Sequence, residues 1–302
     1  MKPFIPAYIA TKKNGGLREK IRTAFEILGS CTLCPRQCRV DRTNDEKGYC
    51  ATGKTAEVAS FAPHYGEEPQ LVGDRGSGTI FFSHCGLQCV FCQNYDISIQ
   101  GNGQAADADQ IAAIMLFLQE KGCHNINLVT PTHVVPQILK ALDTAIDQGL
   151  HLPLVYNCAG YELVGTLKLL EGVVDIFMPD FKFWDSAAAR RYCRAPEYPR
   201  AAKTAVLQMH AQVGDLVVDS AGLARKGLLV RHLVMPGRLE ETRQILTFLK
   251  EKVSAHTHVN LMSQYRPMGD AAVYEGLSQP LAAAEFRQAL QMAEDIGLPL
   301  IR

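Results

Sequence analysis

Three cysteines, Cys85, Cys89 and Cys92, fall within eight residues at the spacing C-x3-C-x2-C. They directly follow a short apolar run at 79–82. Three thiolates can hold three irons of a [4Fe–4S] cluster and leave the fourth iron without a protein ligand. Clusters caged by four cysteines transfer electrons, whereas an open iron can chelate a small molecule and act on it. Zinc is the competing metal, with His84 as fourth ligand. His84 and Cys85 are adjacent and would both have to turn toward one ion, while structural zinc sites mostly use two separated ligand pairs. Three unrelated core thiols are the remaining reading, and the spacing argues for the cluster.

A second group, Cys31-x2-Cys34-x3-Cys38-x11-Cys50, offers four thiolates. Zinc would make a closed tetrahedral site there, and a second [4Fe–4S] cluster would relay an electron inward. The spacing does not separate the two. The surrounding stretch is polar, with Arg36, Arg39 and Arg42 interleaved. Such a stretch builds no core of its own, so a metal could organise it. Of the remaining cysteines, Cys123 and Cys193 read as structural. Cys158 follows Asn157 at the end of the strand predicted from the 154–156 run and is either a small passive residue or a hydrogen donor to a carbon radical.

The elements that must position these groups follow from periodicity. Near-continuous apolar runs at 79–82, 126–129, 154–156, 175–178, 228–234 and 259–262 predict strands buried on both faces. Amphipathic stretches at 108–121, 135–148, 162–171, 186–193, 200–212, 239–251 and 282–295 predict helices between and after them. Pro136 suits a first helical turn, and Gly122 and Gly149 act as stops. The alternation is that of an α/β protein with a parallel sheet, either open and doubly wound or a partly closed barrel. In both, chemistry sits at the C-terminal ends of the strands. Residues 1–75 form a Cys-rich extension, irregular apart from a helix over 17–28, and 76–302 form the barrel.

Several polar residues stand at those strand ends. They are Thr130 and His133, Asn157, Asp180 and Lys182, and then Arg231, His232, Tyr265 and Arg266. Asp180 and Lys182 share a face by alternation. Of Arg231 and His232, one must point into the barrel and its neighbour outward. His133 is either a site residue or a helix-start cap. Arg266 is either a carboxylate clamp or a rim ion pair.

Composition narrows the setting. The chain has 302 residues, 47% hydrophobic and 21% charged, which suits a folded globular protein. Lys+Arg and Asp+Glu both number 31, so no general basic field exists to hold nucleic acid or anionic membrane. The first residues are too polar and proline-broken for a signal peptide, and no apolar run reaches the ~18 residues of a spanning helix. Ten cysteines then indicate a reducing, cytoplasmic setting and metal in place of disulfides.

The motif Cys85-x3-Cys89-x-Phe-Cys92 resembles the signature of the radical S-adenosylmethionine superfamily. The run from Gly76 to Asn94 resembles the pyruvate formate-lyase-activating-enzyme-like branch, as do Val129-Thr-Pro-Thr-His133, Tyr156-Asn-Cys-Ala-Gly-Tyr161, Pro179-Asp-Phe-Lys182 and Gln264-Tyr-Arg-Pro267. The N-terminal Cys-Thr-Leu-Cys-Pro-Arg-Gln-Cys is similar to a subgroup of that branch. The resemblance implies a partial (β/α)6 TIM-type barrel with a metal-binding N-terminal extension. It implies a [4Fe–4S] cluster at Cys85, Cys89 and Cys92, with S-adenosylmethionine on the open iron. Reductive cleavage of that cofactor gives a 5′-deoxyadenosyl radical, which abstracts hydrogen from a substrate. Glycyl-radical enzymes or another protein or peptide are the substrates it implies, and a small metabolite is the rival. An electron donor such as flavodoxin or ferredoxin would feed the cluster. The resemblance places Phe91 by the adenine, Asn157 by the ribose or carboxylate, and Asp180 and Lys182 in or beside the active site. Relatives carry Gly-Gly-Glu where this chain has Thr130-Pro-Thr-His133, so hydroxyls or a neutral imidazole would replace that carboxylate. The reading from another class is a non-catalytic iron–sulfur electron carrier or scaffold.

Overall fold

The computed structural model describes residues 4–301; residues 1–3 and 302 of the two segments lie outside the described residues. Its strands are β1 (Ala56–His64), β2 (Ser77–Phe82), β3 (Gln104–Ala106), β4 (Ile126–Val129), β5 (Leu154–Cys158), β6 (Ile176–Pro179), β7 (Val217–Val218), β8 (Ala224–Leu233) and β9 (His258–Met262). They run in the order β3-β1-β2-β4-β5-β6-β8-β7, with β9 also on β8. The pairs β2–β4–β5–β6–β8–β9 are parallel, and these six strands are the six apolar runs. β1 and β3 extend the sheet antiparallel beyond β2, and β7 is antiparallel to β8. The sheet is therefore mixed, with its parallel stretch as the central part.

Helices fill the crossovers where periodicity predicts them. Ala108–Glu120 opens on a capping box: Gln110 N donates to Asp107 Oδ1 (2.8 Å) and Asp107 N to Gln110 Oε1 (2.9 Å). Val135–Asp147 has Pro136 in its first turn and buries Ile138, Leu139, Leu142 and Ala145. The 239–251 stretch is α-helical only over Leu239–Phe248 and widens into a π-turn at Leu249–Val253.

The N-terminal segment departs from expectation. It contains helices Ala7–Lys13 and Gly16–Leu28 and the nine-residue β1, so irregular chain is confined mainly to 29–55. Tyr8, Leu17, Ala24, Ala56 and Val58 join the same apolar core as the barrel helices. β1 escaped the periodicity reading because its alternation is carried by small side chains, with only Ala56 and Val58 buried.

Alternation along the parallel strands builds two layers. Leu154, Tyr156, Phe177, Leu228 and Val230 face the helices and belong to the large core. Val155, Ile176, Met178 and Leu229 form a separate inner cluster. Two residues further along each of those inner columns the side chains turn polar, at Asn157, Asp180 and Arg231. An apolar floor thus carries a polar layer at the C-terminal ends.

Candidate active site

The loop leaving β2 carries the three cysteines. His84 and Gln88 both take left-handed backbone (φ 71° and 55°), folding the loop back on itself. Cys85, Cys89 and Cys92 all line a cavity of about 360 Å³. Leu87 N donates to Cys85 Sγ (3.3 Å), and Cys92 Sγ lies 3.0 Å from Ser98 Oγ. Cys89 Sγ is 3.4 Å from the thiol of Cys193. Burial pushes Cys85 up to about 12 and raises Cys92; Cys89 is raised first by the Cys193 contact and then by burial. Such thiols ionise only against a compensating cation, which is what a metal centre supplies. Among the described residues no three His, Cys, Asp or Glu side chains converge on a single ion position. A [4Fe–4S] cluster does not ask for that, because each thiolate binds a different iron. His84, the fourth ligand of the zinc reading, is outside the cavity wall, its Nε2 3.3 Å from Glu57 on β1.

The facing wall comes from the other strand ends. Thr130, Asn157, Cys158, Asp180, Lys182 and Arg231 all line the same cavity. Asp180 is the hub: Lys182 Nζ donates to Oδ2 (2.6 Å) and Arg231 Nε to Oδ1 (2.9 Å). Arg231 also donates to Asn157 Oδ1 (2.7 Å) and to Glu67 Oε2 (3.2 Å). Burial works to raise Asp180, but Arg231 and Lys182 outweigh it and hold the carboxyl below its usual value. Burial likewise opposes the charge on Lys182 and Arg231, and Asp180 outweighs it and raises both. Burial pushes Glu67 up to about 7. Lys182 and Arg231 therefore sit among three carboxylates, Asp180, Glu67 and Glu68, as a compact network of opposite charges. Gly160 permits the close approach of β5 and β6 here: at φ 70° a Cβ would lie 2.3 Å from the Asp180 carbonyl. Thr130 is also left-handed (φ 58°), unusual for a β-branched residue, with its N–H bonded to Asn157 O.

Phe91 is buried against Phe183 and Tyr265 (ring centroids 5.8 and 6.3 Å) and lines the cavity. Other strand-end residues lie elsewhere. His133 is buried outside this cavity, bonded through Nε2 to Ser83 O (2.7 Å), and burial lowers it to about 3, so it is a neutral imidazole. His232 points to the helix layer, bonded to Phe181 O and Thr242 Oγ1. Tyr265 donates to Leu277 O, and Arg266 is not among the lining residues. Cys31, Cys34, Cys38 and Cys50 gather around a separate small cavity.

Three participants, Glu67, Ser98 and Glu162, were not singled out from sequence, and a fourth, Cys193, was read only as structural. Glu67 precedes the short helix Pro69–Val72, Ser98 ends Tyr95–Ser98, and Cys193 ends Ser186–Cys193. Glu162 is buried behind Cys158, accepting from Thr132 (2.5 Å) and Tyr156 (3.2 Å). Only Cys193 carried a signal, as one of the ten cysteines.

The fold has a crystallographic counterpart. A radical SAM methyltransferase from Sphaerobacter thermophilus superposes with a TM-score of 0.54 over 76% of this chain and 66% of that one, at 14% identity. The likeness is one of fold: a mixed α/β protein whose large sheet has a parallel central stretch. No family model matches the chain. It is 32% identical over 292 residues to the uncharacterized protein MJ0674 of Methanocaldococcus jannaschii, covering 93% of this chain and 79% of that protein. The chain belongs to the family of that archaeal protein.

Proposed function

We propose that this chain is a radical S-adenosylmethionine enzyme of the pyruvate formate-lyase-activating type, acting on a protein or peptide. The observation that carries the reading is the shared cavity. Three cysteines at C-x3-C-x2-C spacing form one wall, and a charged, hydrogen-bonding layer at the strand ends forms the other. Cys85, Cys89 and Cys92 would hold a [4Fe–4S] cluster. When bound, the cluster supplies the electron that breaks the sulfonium bond of S-adenosylmethionine and so provides a hydrogen-abstracting radical. Lys182 and Arg231 hold the anionic end of the ligand. Asn157 spends its carbonyl on Arg231, which leaves its amide N–H groups to donate. Phe91 offers an apolar wall to an adenine ring. His133 is not among the cavity's lining residues, so the Thr130 hydroxyl is the group that would take the part Gly-Gly-Glu plays in relatives. Cys158 and Asp180 line the remaining wall, where the substrate carbon must arrive.

A protein or peptide substrate fits the size of the site. Ligand cavities commonly run about 300–1,000 Å³, and 360 Å³ is taken up largely by one nucleoside-sized cofactor. The substrate then enters through the mouth, as a chain segment can. A flavodoxin or ferredoxin serves as electron donor. Electron paramagnetic resonance of the anaerobically reconstituted, reduced chain tests the open iron. We expect a [4Fe–4S]+ signal that changes on adding S-adenosylmethionine and is missing in Cys89→Ala. A signal indifferent to S-adenosylmethionine contradicts the reading.

A further inference from the structure

Residues 29–55 carry four cysteines and few apolar side chains, yet they dock firmly on the barrel. Cys31, Cys34, Cys38 and Cys50 line one cavity of about 10 Å³, and no carboxylate lines it. That is the room of about one water molecule. The turns that bring the thiols together are well hydrogen-bonded: Cys31 N donates to Val40 O (3.0 Å), Arg39 N to Cys31 O (2.9 Å) and Tyr49 N to Cys38 Sγ (3.3 Å).

Arg42 makes this a question of charge. It is 1% exposed and lines the same cavity. Its Nε donates to Gly53 O (2.9 Å), and its Nη1 to His133 O (2.7 Å), with Cys31 Sγ at 3.8 Å. Its Nη2 has no partner. Arg42 forms no ion pair with any carboxylate among the described residues. A guanidinium stays protonated in proteins, and a buried charge is strongly unfavourable unless paired. His133, beside it and 2% exposed, has an unpartnered Nδ1 and supplies no negative charge.

We propose that Cys31, Cys34, Cys38 and Cys50, as thiolates, hold a second metal centre for which Arg42 is the buried counter-ion. Four thiolates on a zinc ion, or on a [4Fe–4S]2+ core, both leave a net charge of about −2 beside the guanidinium. Soft thiolate donors without carboxylates select these metals. Among the described residues no three of these thiols converge on one ion position as they stand, so zinc would have to draw them together, whereas a cubane would bind each on a separate iron. The centre is independent of the catalytic reading, but it is docked on the three-cysteine loop. Arg36, between Cys34 and Cys38, donates to the carbonyls of Gly86 (3.0 Å) and Leu87 (3.3 Å), and a Cβ on Gly86 would lie 3.5 Å from Cys34 Sγ.

Metal and sulfide analysis of the full chain carrying Cys85→Ala, Cys89→Ala and Cys92→Ala separates the two sites. About one zinc, or about four iron with four sulfide, should remain per chain. Zinc identifies the single-ion centre, and iron with sulfide identifies the cubane. Loss of all metal from a folded chain overturns the proposal. Adding Arg42→Met should speed metal release to a chelator by at least about tenfold; an unchanged rate overturns the counter-ion role. The wild-type chain gives a reading that no variant's folding can spoil. Its four N-terminal cysteines should resist alkylation until metal is stripped, then react. Free reaction before stripping contradicts the centre.

Discussion

At the scale of single residues, the charge balance at the strand ends rests on Asp180. It accepts from both Lys182 and Arg231. Asp180→Asn leaves two half-buried cations with Glu67 and Glu68 as their remaining acidic neighbours and should cost about 1–3 kcal/mol in a denaturant titration. Because the folded-state value of Asp180 lies below its usual one, its contribution is present above the ordinary carboxylate range. It is lost as pH falls through the folded value. Asp180→Asn should therefore narrow the gap to wild type in acid. Cys193 lies against the three-cysteine loop. Its thiol, 3.4 Å from Cys89, can donate to a thiolate there, and such hydrogen bonds raise a cluster's potential. Cys193→Ala should move the reduction midpoint to a more negative value in a spectroelectrochemical titration; an unmoved midpoint contradicts the contact. Of these residues, Asp180, Lys182 and the division of labour between Arg231 and His232 were legible from strand alternation. The Cys193 contact was not, because 104 positions separate it from Cys89. Nor does sequence reveal that His133 spends its Nε2 on a backbone carbonyl.

At the scale of elements, the parallel strands and most crossover helices could be read because burial on both faces leaves continuous apolar runs and amphipathic helices leave a 3.6-residue period. β1 and β3 could not, since they lie outside the parallel stretch and carry few large apolar residues. What ties strand ends together is also hidden from periodicity. Glu162 bridges the turn after β4 to β5 through Thr132 and Tyr156. Burial pushes it up to about 7 from 4.5. Between those values the folded chain binds more protons than the unfolded one, so stability falls as pH rises through that window and stays lower above it. The loss is at most about 3 kcal/mol. In Glu162→Gln the hydroxyls can switch between donating and accepting. Its unfolding free energy, measured at about pH 5 and about pH 8, should fall less than that of the wild type. An equal fall would show that Glu162 ionises freely in the fold.

At the scale of the whole molecule, the six parallel strands converge their C-terminal ends on one cavity, and the N-terminal segment docks its own cysteines beside that cavity's three-cysteine loop. Cys34 and Cys85 even line one small void between the two groups. Formal charge is balanced over the chain, so selectivity falls to the cavity mouth and not to a broad surface field. Among the described residues no helix is long and apolar enough to cross a membrane. The architecture was legible because strand order follows chain order through the parallel stretch, whereas the packing of residues 29–55 was not, because polar loops carry no period. The central claim is that the three-cysteine cavity cleaves S-adenosylmethionine reductively. The most direct measurement is 5′-deoxyadenosine formed by the anaerobically reconstituted chain with S-adenosylmethionine and a low-potential reductant, against a Cys89→Ala control. The account predicts product from the wild type and none above background from the variant; equal amounts from both, or none from a wild-type chain loaded with cluster, contradict it.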